Sequence, residues 1–217
     1  MKSGASGSVL RDTHALFAAG TLAGLDDDEL LARFAEDLGV VAELAFAAIV
    51  SRHGPMVLAA CRRTLGDRHA AQDAFQATFL VLARRARSVR GATLGPWLYG
   101  VARKVALRQR ASLDRRAALD RQVVTENVGR EDPLLAAERS ELIDLIDREL
   151  ASLPSHLRDA VVLCDLQGLS HEEAARHLSC PLGTVKSRQA RARDRLRERL
   201  KRMGLDPSSA AAPALMA

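Results

Sequence analysis

The chain has 217 residues and a formal net charge of +5, with 47% hydrophobic and 27% charged residues. This length allows one ordinary domain or two small ones, and the composition is typical of a folded protein rather than a disordered one. Apolar runs such as 161–164 are far shorter than the ~20 residues that cross a bilayer, and residues 1–20 lack the pattern of a signal peptide, so we expect neither membrane insertion nor secretion.

The first half of the sequence predicts helices only. Alanine, leucine and arginine dominate, apolar residues recur at helical spacing, and no window alternates like a strand, so we predict an all-α fold. Glycine and proline separate the segments, most clearly at Gly54-Pro55. After a weakly ordered leader at 1–24, helices are predicted at about 26–38, 41–52, 56–65, 68–87 and 96–112, with a polar, glycine-bearing loop at 88–95.

Apolar periodicity fades from about residue 113 to 133, which predicts a linker between two small helical domains, 25–112 and 134–203. All seven aromatic residues precede the linker, so the second domain must pack with aliphatic side chains. Its helices are predicted at about 134–151, 155–166, 170–178 and 183–203, followed by a disordered tail at 204–217.

Basic residues concentrate in two segments. Residues 84–121 carry a local charge of +9 and residues 186–202 a local charge of +7, whereas the rest of the chain carries −11. Two separate cationic surfaces on an acidic protein are typical of a partner that is a polyanion such as nucleic acid. Solvated basic helix faces are the alternative interpretation of each segment.

Ser170 and Glu173 have the spacing of a capping box, in which each side chain binds a free backbone amide at the start of a helix. This helix is predicted to end at Ser179-Cys180-Pro181, and Gly183-Thr184 opens a longer helix. The spacing matches a helix-turn-helix, the motif that places its second helix in a DNA groove.

The turn itself is predicted from small residues. Ala175 allows the two helices to cross closely, and Cys180 and Val185 fill the angle between them. Ser179 stands where many such motifs carry glycine, which indicates a slightly different turn in the same fold.

A helical wheel divides the last helix into two sides. Val185, Ala192, Leu196 and Leu200 lie on the side that faces the core. The opposite side carries Ser187, Ala190, Arg191 and Asp194, with Lys186 at its edge. Polar side chains near the start of a helix, with flanking cations for phosphates, favour reading of duplex DNA over a merely solvated face.

The first domain carries two candidate surfaces. Helix 68–87 has a polar outer face that includes Asp73 and Gln76 and is suited to docking another protein. The loop 88–95 leads into Trp97 and Tyr99 and then into a cationic helix with Arg103, Lys104 and Arg108. Aromatic and basic residues beside a flexible loop are typical of sites for single-stranded nucleic acid, with core packing as the alternative role of the aromatics.

Metal and nucleophilic sites are weakly indicated. Cys164, His171, His177 and Cys180 lack a chelating doublet, and no third group orients a Cys/His pair. The three cysteines, which include Cys61, fit small core residues in a reducing compartment. We therefore expect a cytoplasmic protein with no cofactor, no metal and no catalytic residue.

Several motifs resemble the extracytoplasmic-function sigma factors of bacterial RNA polymerase, in the sigma-70 family. The resemblance extends from about residue 25 to 200 and includes residues 45–57, 153–170 and three short motifs: 73–79 (DAFQATF), 97–102 (WLYGVA) and 183–188 (GTVKSR). It implies a region 2 domain that binds the polymerase clamp and the promoter −10 element. It also implies a region 4 domain that binds the −35 element and the polymerase flap.

The resemblance also implies roles for individual residues. Those matching the clamp-docking helix are Asp73, Gln76 and Phe79. Those matching the −10 element contacts are Ser88, Val89, Arg90 and Thr93 in the loop and Arg103, Lys104 and Arg108 in the next helix. Those matching the −35 positions are Lys186, Ser187, Ala190 and Arg191, which the helical wheel selects independently.

The sequence therefore predicts a non-enzymatic initiation factor that gives core RNA polymerase its promoter selectivity. Its expected partners are core polymerase, duplex −35 DNA and melted −10 DNA, with an anti-sigma factor as a further candidate. The alternative is a free-standing helix-turn-helix regulator whose first domain is a sensor or dimerisation unit. A Cys/His hydrolase or metal enzyme is a third class, which Cys164 replacement would test.

Overall fold

The computed structural model describes residues 24–36, 39–89, 94–120 and 145–203 of the chain, with side chains as far as residue 117 in the third range. The described residues form eight α-helices and no strand, so the predicted all-α fold is confirmed. The tail at 204–217, nearly all of the leader at 1–24 and residues 121–133 of the predicted linker lie outside the described residues.

Four helices form the N-terminal bundle: α1 (Asp27–Glu36), α2 (Val40–Leu65), α3 (Arg68–Arg85) and α4 (Leu94–Asp120). A 3₁₀ turn, Ala86–Ser88, follows α3. The Asp67 side chain caps α3 by accepting a 2.8 Å hydrogen bond from the Ala70 amide, which is what an aspartate before the first helical turn provides.

The C-terminal unit contains the other four helices: α5 (145–152), α6 (Ser155–Val161), α7 (His171–His177) and α8 (Leu182–Arg202). Helix α6 runs directly into a π-helical turn, Val162–Leu166. A π turn carries one more residue than an α-helical turn and is often found where a functional side chain is placed.

The predicted break at Gly54-Pro55 is wrong, because α2 continues through both residues. Proline within a helix removes one hydrogen bond and crowds the preceding turn. Here the packing of a long central helix outweighs that cost: His53, Gly54, Met56 and Val57 are buried. A Cβ atom on Gly54 would lie at an ordinary contact distance of 3.6 Å from the Phe75 ring, so the packing of α3 against α2 does not require a glycine here.

Helix α4 is longer than the predicted segment 96–112 at both ends. Pro96 is its third residue, where the missing amide proton has no partner in an α-helix anyway. At the other end, residues 113–120 lose apolar periodicity yet remain helical, since alanine, leucine and arginine favour a helix that needs no buried face. The last two residues of the predicted 88–95 loop therefore belong to α4.

One hydrophobic cluster unites the bundle and reaches into the C-terminal unit. In the bundle aromatic rings contact one another in tilted pairs, with ring centroids 4.9 Å apart for Phe34 and Phe46 and 5.0 Å apart for Phe75 and Phe79. From the C-terminal unit the same cluster includes Leu150, Leu153, Leu157, Val161, Val162, Ala192 and Leu196. The two halves thus share part of their core.

Polar contacts also join the two halves. The buried Tyr99 hydroxyl of α4 donates a 2.8 Å hydrogen bond to Asp147 of α5, and this burial raises the pKa of Tyr99 well above its usual value. The Gln167 amide lies 2.6 Å from a ring nitrogen of His53. A Cβ atom on Gly95 would overlap the end of the Gln167 side chain at 2.6 Å, so a larger residue there would force that side chain to move.

Helix α2 is long and apolar enough to cross a membrane, judged by length and composition alone. It packs against α1, α3 and α4, and Ile49, Val57 and Cys61 are fully buried in the shared cluster. The apolar character of α2 is therefore explained by its central position in the bundle.

Candidate nucleic-acid interface

The predicted capping box is present at the start of α7. The Glu173 amide donates to the Ser170 hydroxyl at 3.2 Å, and the Ser170 amide donates to the Glu173 carboxylate at 2.8 Å. These bonds to Ser170 hold the pKa of Glu173 below its usual value. Helix α7 therefore starts where the sequence indicates.

The turn between α7 and α8 contains Ser179 with φ of +46°, the only non-glycine residue with positive φ among those described. This conformation is the one that favours glycine, so the motif keeps its usual turn although the residue is serine. The Cys180 amide closes the turn by donating to the Ala175 carbonyl at 3.1 Å.

A small apolar cluster lies beneath the helix-turn-helix: Leu163 of the π turn, Ala174 of α7 and Val185 of α8. Ala174 is fully buried, whereas Ala175, the residue expected to permit the close crossing, is only partly buried. Cys180 packs at the edge of this cluster. Val185 is buried as predicted, and Ala175 packs against the same cluster.

The predicted core side of α8 is confirmed, because Val185, Ala192, Leu196 and Leu200 are all buried. On the other side Lys186, Ala190 and Arg191 are exposed, and Ser187 is half-buried. The Arg191 guanidinium donates to the hydroxyl and the carbonyl of Ser187, each at 3.2 Å. The four predicted −35 residues thus share one accessible, cationic face.

Gln189 is 7% exposed on the core side of α8 and was not among the residues predicted from the sequence. Its amide donates a 2.7 Å hydrogen bond to Asp165 of the π turn and its oxygen lies 2.8 Å from His171 of α7. On the helical wheel Gln189 lies about 40° from Val185. A polar residue within the apolar stripe could therefore have identified it from the sequence. Asp165 also binds Arg193, which holds that guanidinium beside the π turn.

Helix α3 exposes Asp73 and Gln76 on its outer face, as predicted. Phe79 is 4% exposed and packs on Phe75, so its ring supports the helix from the core side and is not open to a partner in this structure. Leu80 is 59% exposed and lies one turn beyond Gln76. This exposed leucine beside polar groups gives the face an apolar component that was not predicted from the sequence.

The residues predicted to contact the −10 element differ in exposure. Ser88 is exposed and its hydroxyl donates to the Arg85 carbonyl at 2.8 Å, whereas Val89 is 5% exposed. Arg90 and Thr93 lie outside the described residues. On α4, Lys104 and Arg108 are exposed, and Arg103 is partly buried with no hydrogen-bond partner for its Nε atom.

Trp97 is partly buried and lines an open cleft between α4 and the helix-turn-helix, with Arg158, His177 and Arg188 among the other lining residues. Tyr99, by contrast, is 2% exposed. Core packing is therefore the role of Tyr99, and only Trp97 keeps an accessible edge.

The residues considered for a metal site serve other contacts. His171 binds Gln189, and His177 lies 4.0 Å from Asp27 of α1. Burial raises the pKa of the Cys164 thiol. Within 24–36, 39–89, 94–120 and 145–203, no three His, Cys, Asp or Glu residues are grouped as metal ligands would be.

Residues 49–116 match the sequence family described as Sigma-70 region 2, and residues 143–196 match the one described as Sigma-70, region 4. The two matches together cover more than half of the chain. The first contains α3 and most of α4, and the second contains α7, the turn and α8 as far as residue 196.

Curated relatives agree with these matches. The chain is 32% identical over 161 residues to the ECF RNA polymerase sigma factor SigE of Mycolicibacterium smegmatis, covering 70% of this chain and 60% of that protein. It is 31% identical over 160 residues to the RNA polymerase sigma-H factor of Pseudomonas aeruginosa, covering 69% and 83%. It is 32% identical over 160 residues to the ECF RNA polymerase sigma-E factor of Escherichia coli, covering 68% and 76%.

Among solved structures, the chain is similar to the sigma factor RpoE of Bartonella quintana in complex with the anti-sigma factor NepR. That likeness has 27% identity and a TM-score of 0.35, and it covers 72% of this chain and 96% of the other. Two region matches in the expected order, together with relatives above 30% identity, settle the classification. The chain belongs to the extracytoplasmic-function group of sigma factors in the sigma-70 family.

Proposed function

We propose that the chain acts as a dissociable sigma subunit that binds core RNA polymerase and directs it to promoters. The observation that carries this proposal is the helix-turn-helix, whose second helix presents Lys186, Ser187, Ala190 and Arg191 on one accessible face. Such a helix fits the major groove of duplex DNA. The polymerase supplies the catalysis, so the chain itself is not an enzyme, and its place of action is the cytoplasm.

Within the C-terminal unit, α8 reads the −35 element. Arg191 is long enough to reach a base edge and its guanidinium is suited to a guanine, whereas Lys186 at the edge of the face is placed for a phosphate. The hydrogen bonds from Arg191 to Ser187 hold both side chains on the same face. Specificity is therefore assigned mainly to Arg191.

Within the N-terminal bundle, the outer face of α3 docks onto polymerase through Asp73 and Gln76. The aromatic cluster behind α3 makes this helix a rigid support, since Phe79 packs between Phe75 and Phe46. Phe79 thus serves docking by holding the helix in place. Leu80, exposed one turn from Gln76, supplies apolar area to the same contact.

The −10 element is assigned to the segment 88–95 and the adjoining part of α4. The exposed cations Lys104 and Arg108 suit the backbone of unpaired DNA. Capture of an extruded base would offset the cost of unstacking, so holoenzyme should prefer a pre-melted −10 segment over the same sequence as duplex. Replacing residues 90–93 with glycine and serine should remove that preference, and equal initiation on both templates before replacement would contradict the assignment.

The proposal as a whole is tested by transcription in vitro with core RNA polymerase and a library of promoters. We expect enrichment of templates that share one −35 and one −10 sequence, and no enrichment with core polymerase alone. Binding of the purified chain to such duplexes without polymerase, together with no effect on transcription, would instead support a free-standing regulator.

A further inference from the structure

Gln189 is a polar residue on the apolar side of the reading helix. Its neighbours on that side of α8, Val185 and Ala192, are fully buried, and Gln189 itself is 7% exposed. A buried amide is unfavourable unless both its donor and its acceptor are bonded. Both are bonded here, so the amide connects α8 to the rest of the unit.

The bonds of Gln189 reach two other elements. Its Nε2 donates to Asp165 Oδ1 at 2.7 Å, and its Oε1 lies 2.8 Å from His171 Nε2. Because the amide oxygen can only accept, His171 Nε2 must carry the proton. One side chain therefore joins α8, the π turn and the first residue of α7.

The π turn supplies the acceptor for this contact. Asp165 lies within the turn, where its side chain is 11% exposed and also accepts from Arg193. Arg193 lies one turn beyond Gln189 on α8, so a single carboxylate holds two successive turns of the reading helix. A charge-assisted hydrogen bond of this kind is stronger and more directional than a neutral one.

Apolar packing holds α8 in the unit but does not fix its rotation sharply. Val185 packs with Leu163 and Ala174, while Ala192 and Leu196 belong to the cluster shared with the bundle, and apolar contacts are not directional. A rotation of about 10° moves a side-chain atom about 6 Å from the helix axis by roughly 1 Å. That exceeds the roughly 0.5 Å range over which a hydrogen bond keeps good length.

We propose that Gln189, bound by Asp165 and His171, is a positioning residue that sets the rotation of α8 and thereby aims Arg191 at the −35 bases. This inference rests on the proposed function. Gln189 precedes Arg191 by two residues and lies on the opposite side of the helix, so it acts on DNA only through the helix it holds. Gln189 determines how well the holoenzyme discriminates between −35 DNA sequences, whereas the exposed cations determine general affinity for DNA.

The first test replaces Gln189 with leucine, which fills similar space without hydrogen bonds. Leu196→Val is the matched control, because Leu196 lies two turns further along the same buried side of α8 and belongs to the apolar cluster only. The measurement is the ratio of holoenzyme affinities for a promoter with the preferred −35 element and one with that element scrambled. Binding to core polymerase and thermal unfolding are followed in parallel.

We expect Gln189→Leu to lower this ratio by about tenfold, mainly through weaker binding to the preferred promoter, with affinity for the scrambled promoter unchanged. Leu196→Val should lower thermal stability and keep the ratio. An unchanged ratio in Gln189→Leu, or an equal fall in both variants, would overturn the positioning role and leave the sigma function standing.

A second variant, His171→Ala, covers the case in which Gln189→Leu fails to fold. It removes one of the two hydrogen bonds, so we expect a smaller fall in the ratio. The double variant should lose little more than Gln189→Leu alone, because both substitutions break the same bond. Additive losses would overturn the inference, and a wild-type holoenzyme with no −35 preference would overturn both the inference and the proposed function.

Discussion

The N-terminal bundle and the helix-turn-helix hold their exposed faces by different means. The bundle backs α3 with a cluster of aromatic rings and fully buried aliphatic side chains such as Leu82. The helix-turn-helix packs on aliphatic side chains that include Leu163 and Val185, and a hydrogen-bond network around Gln189 also holds it. We therefore expect the proposed docking face to depend on packing and the proposed DNA-reading face to depend also on directional hydrogen bonds.

The largest expected effect is a loss of stability when the packing of α3 is disrupted. Leu82→Ala removes a fully buried side chain from the core side of α3 and should lower the free energy of unfolding by about 4 kcal/mol. Chemical denaturation measures the change. Leu80→Ala, two residues away but 59% exposed, should change the free energy by less than about 0.5 kcal/mol, and similar losses in the two variants would show that α3 is not packed as described.

Asp27→Asn tests a polar contact within the bundle. Its buried carboxylate lies 2.7 Å from Arg52 and 3.0 Å from His53. Burial raises the pKa of Asp27, but the hydrogen bonds and charges of His53 and Arg52 lower it by a larger amount. The net pKa therefore lies below the usual value of 3.8. Asp27→Asn should cost about 2 kcal/mol at neutral pH.

The pH dependence of that cost follows from the lowered pKa. The carboxylate contributes its full stabilisation above its unfolded pKa and loses it as the pH falls through the lower folded value. The difference in stability between wild type and Asp27→Asn should therefore not shrink between pH 7 and pH 5, and it should fall only below about pH 4. A difference that already shrinks between pH 7 and pH 5 would contradict ionised Asp27 as its source.

Gln76→Ala tests whether the outer face of α3 binds polymerase. The side chain is exposed on α3, so Gln76→Ala should leave the free energy of unfolding within about 0.5 kcal/mol of wild type. Its loss should weaken binding to core polymerase by about 1.5 kcal/mol, if it lies near the centre of the contact. A competition assay against unmodified chain measures this, and unchanged affinity would remove Gln76 from the docking surface.

The smallest expected effect concerns the turn of the helix-turn-helix. Ser179 adopts a φ of +46°, where an L-residue is strained by about 1 to 2 kcal/mol and glycine is not. Glycine loses more entropy on folding, so Ser179→Gly should stabilise the chain by only about 0.5 kcal/mol. A lower melting temperature for this variant would indicate that Ser179 contributes something other than a turn.

The helix-turn-helix was largely predictable from the sequence because its determinants are local. Ser170 and Glu173 are three residues apart, and the buried side of α8 follows from helical periodicity starting at Val185. Both patterns act within one helix, so no knowledge of the rest of the fold is needed to recognise them.

The remaining features depend on residues distant in the chain. The continuity of α2 through Pro55 depends on its packing within the bundle, and local rules therefore predicted a break. The contact of Gln189 with Asp165 spans 24 positions and that of Tyr99 with Asp147 spans 48. Such pairings are set by the tertiary arrangement of helices, which the sequence pattern does not specify.

The central claim is that α8 reads the −35 element with Arg191 while the bundle holds polymerase. The most direct measurement is the affinity of wild-type and Arg191→Ala holoenzymes for promoters carrying every single-base change in the −35 element. We expect the substitution to cost ~1 to 3 kcal/mol on the preferred promoter and to abolish discrimination at one base position. An unchanged affinity and an unchanged pattern of preference would show that α8 is not the reading helix.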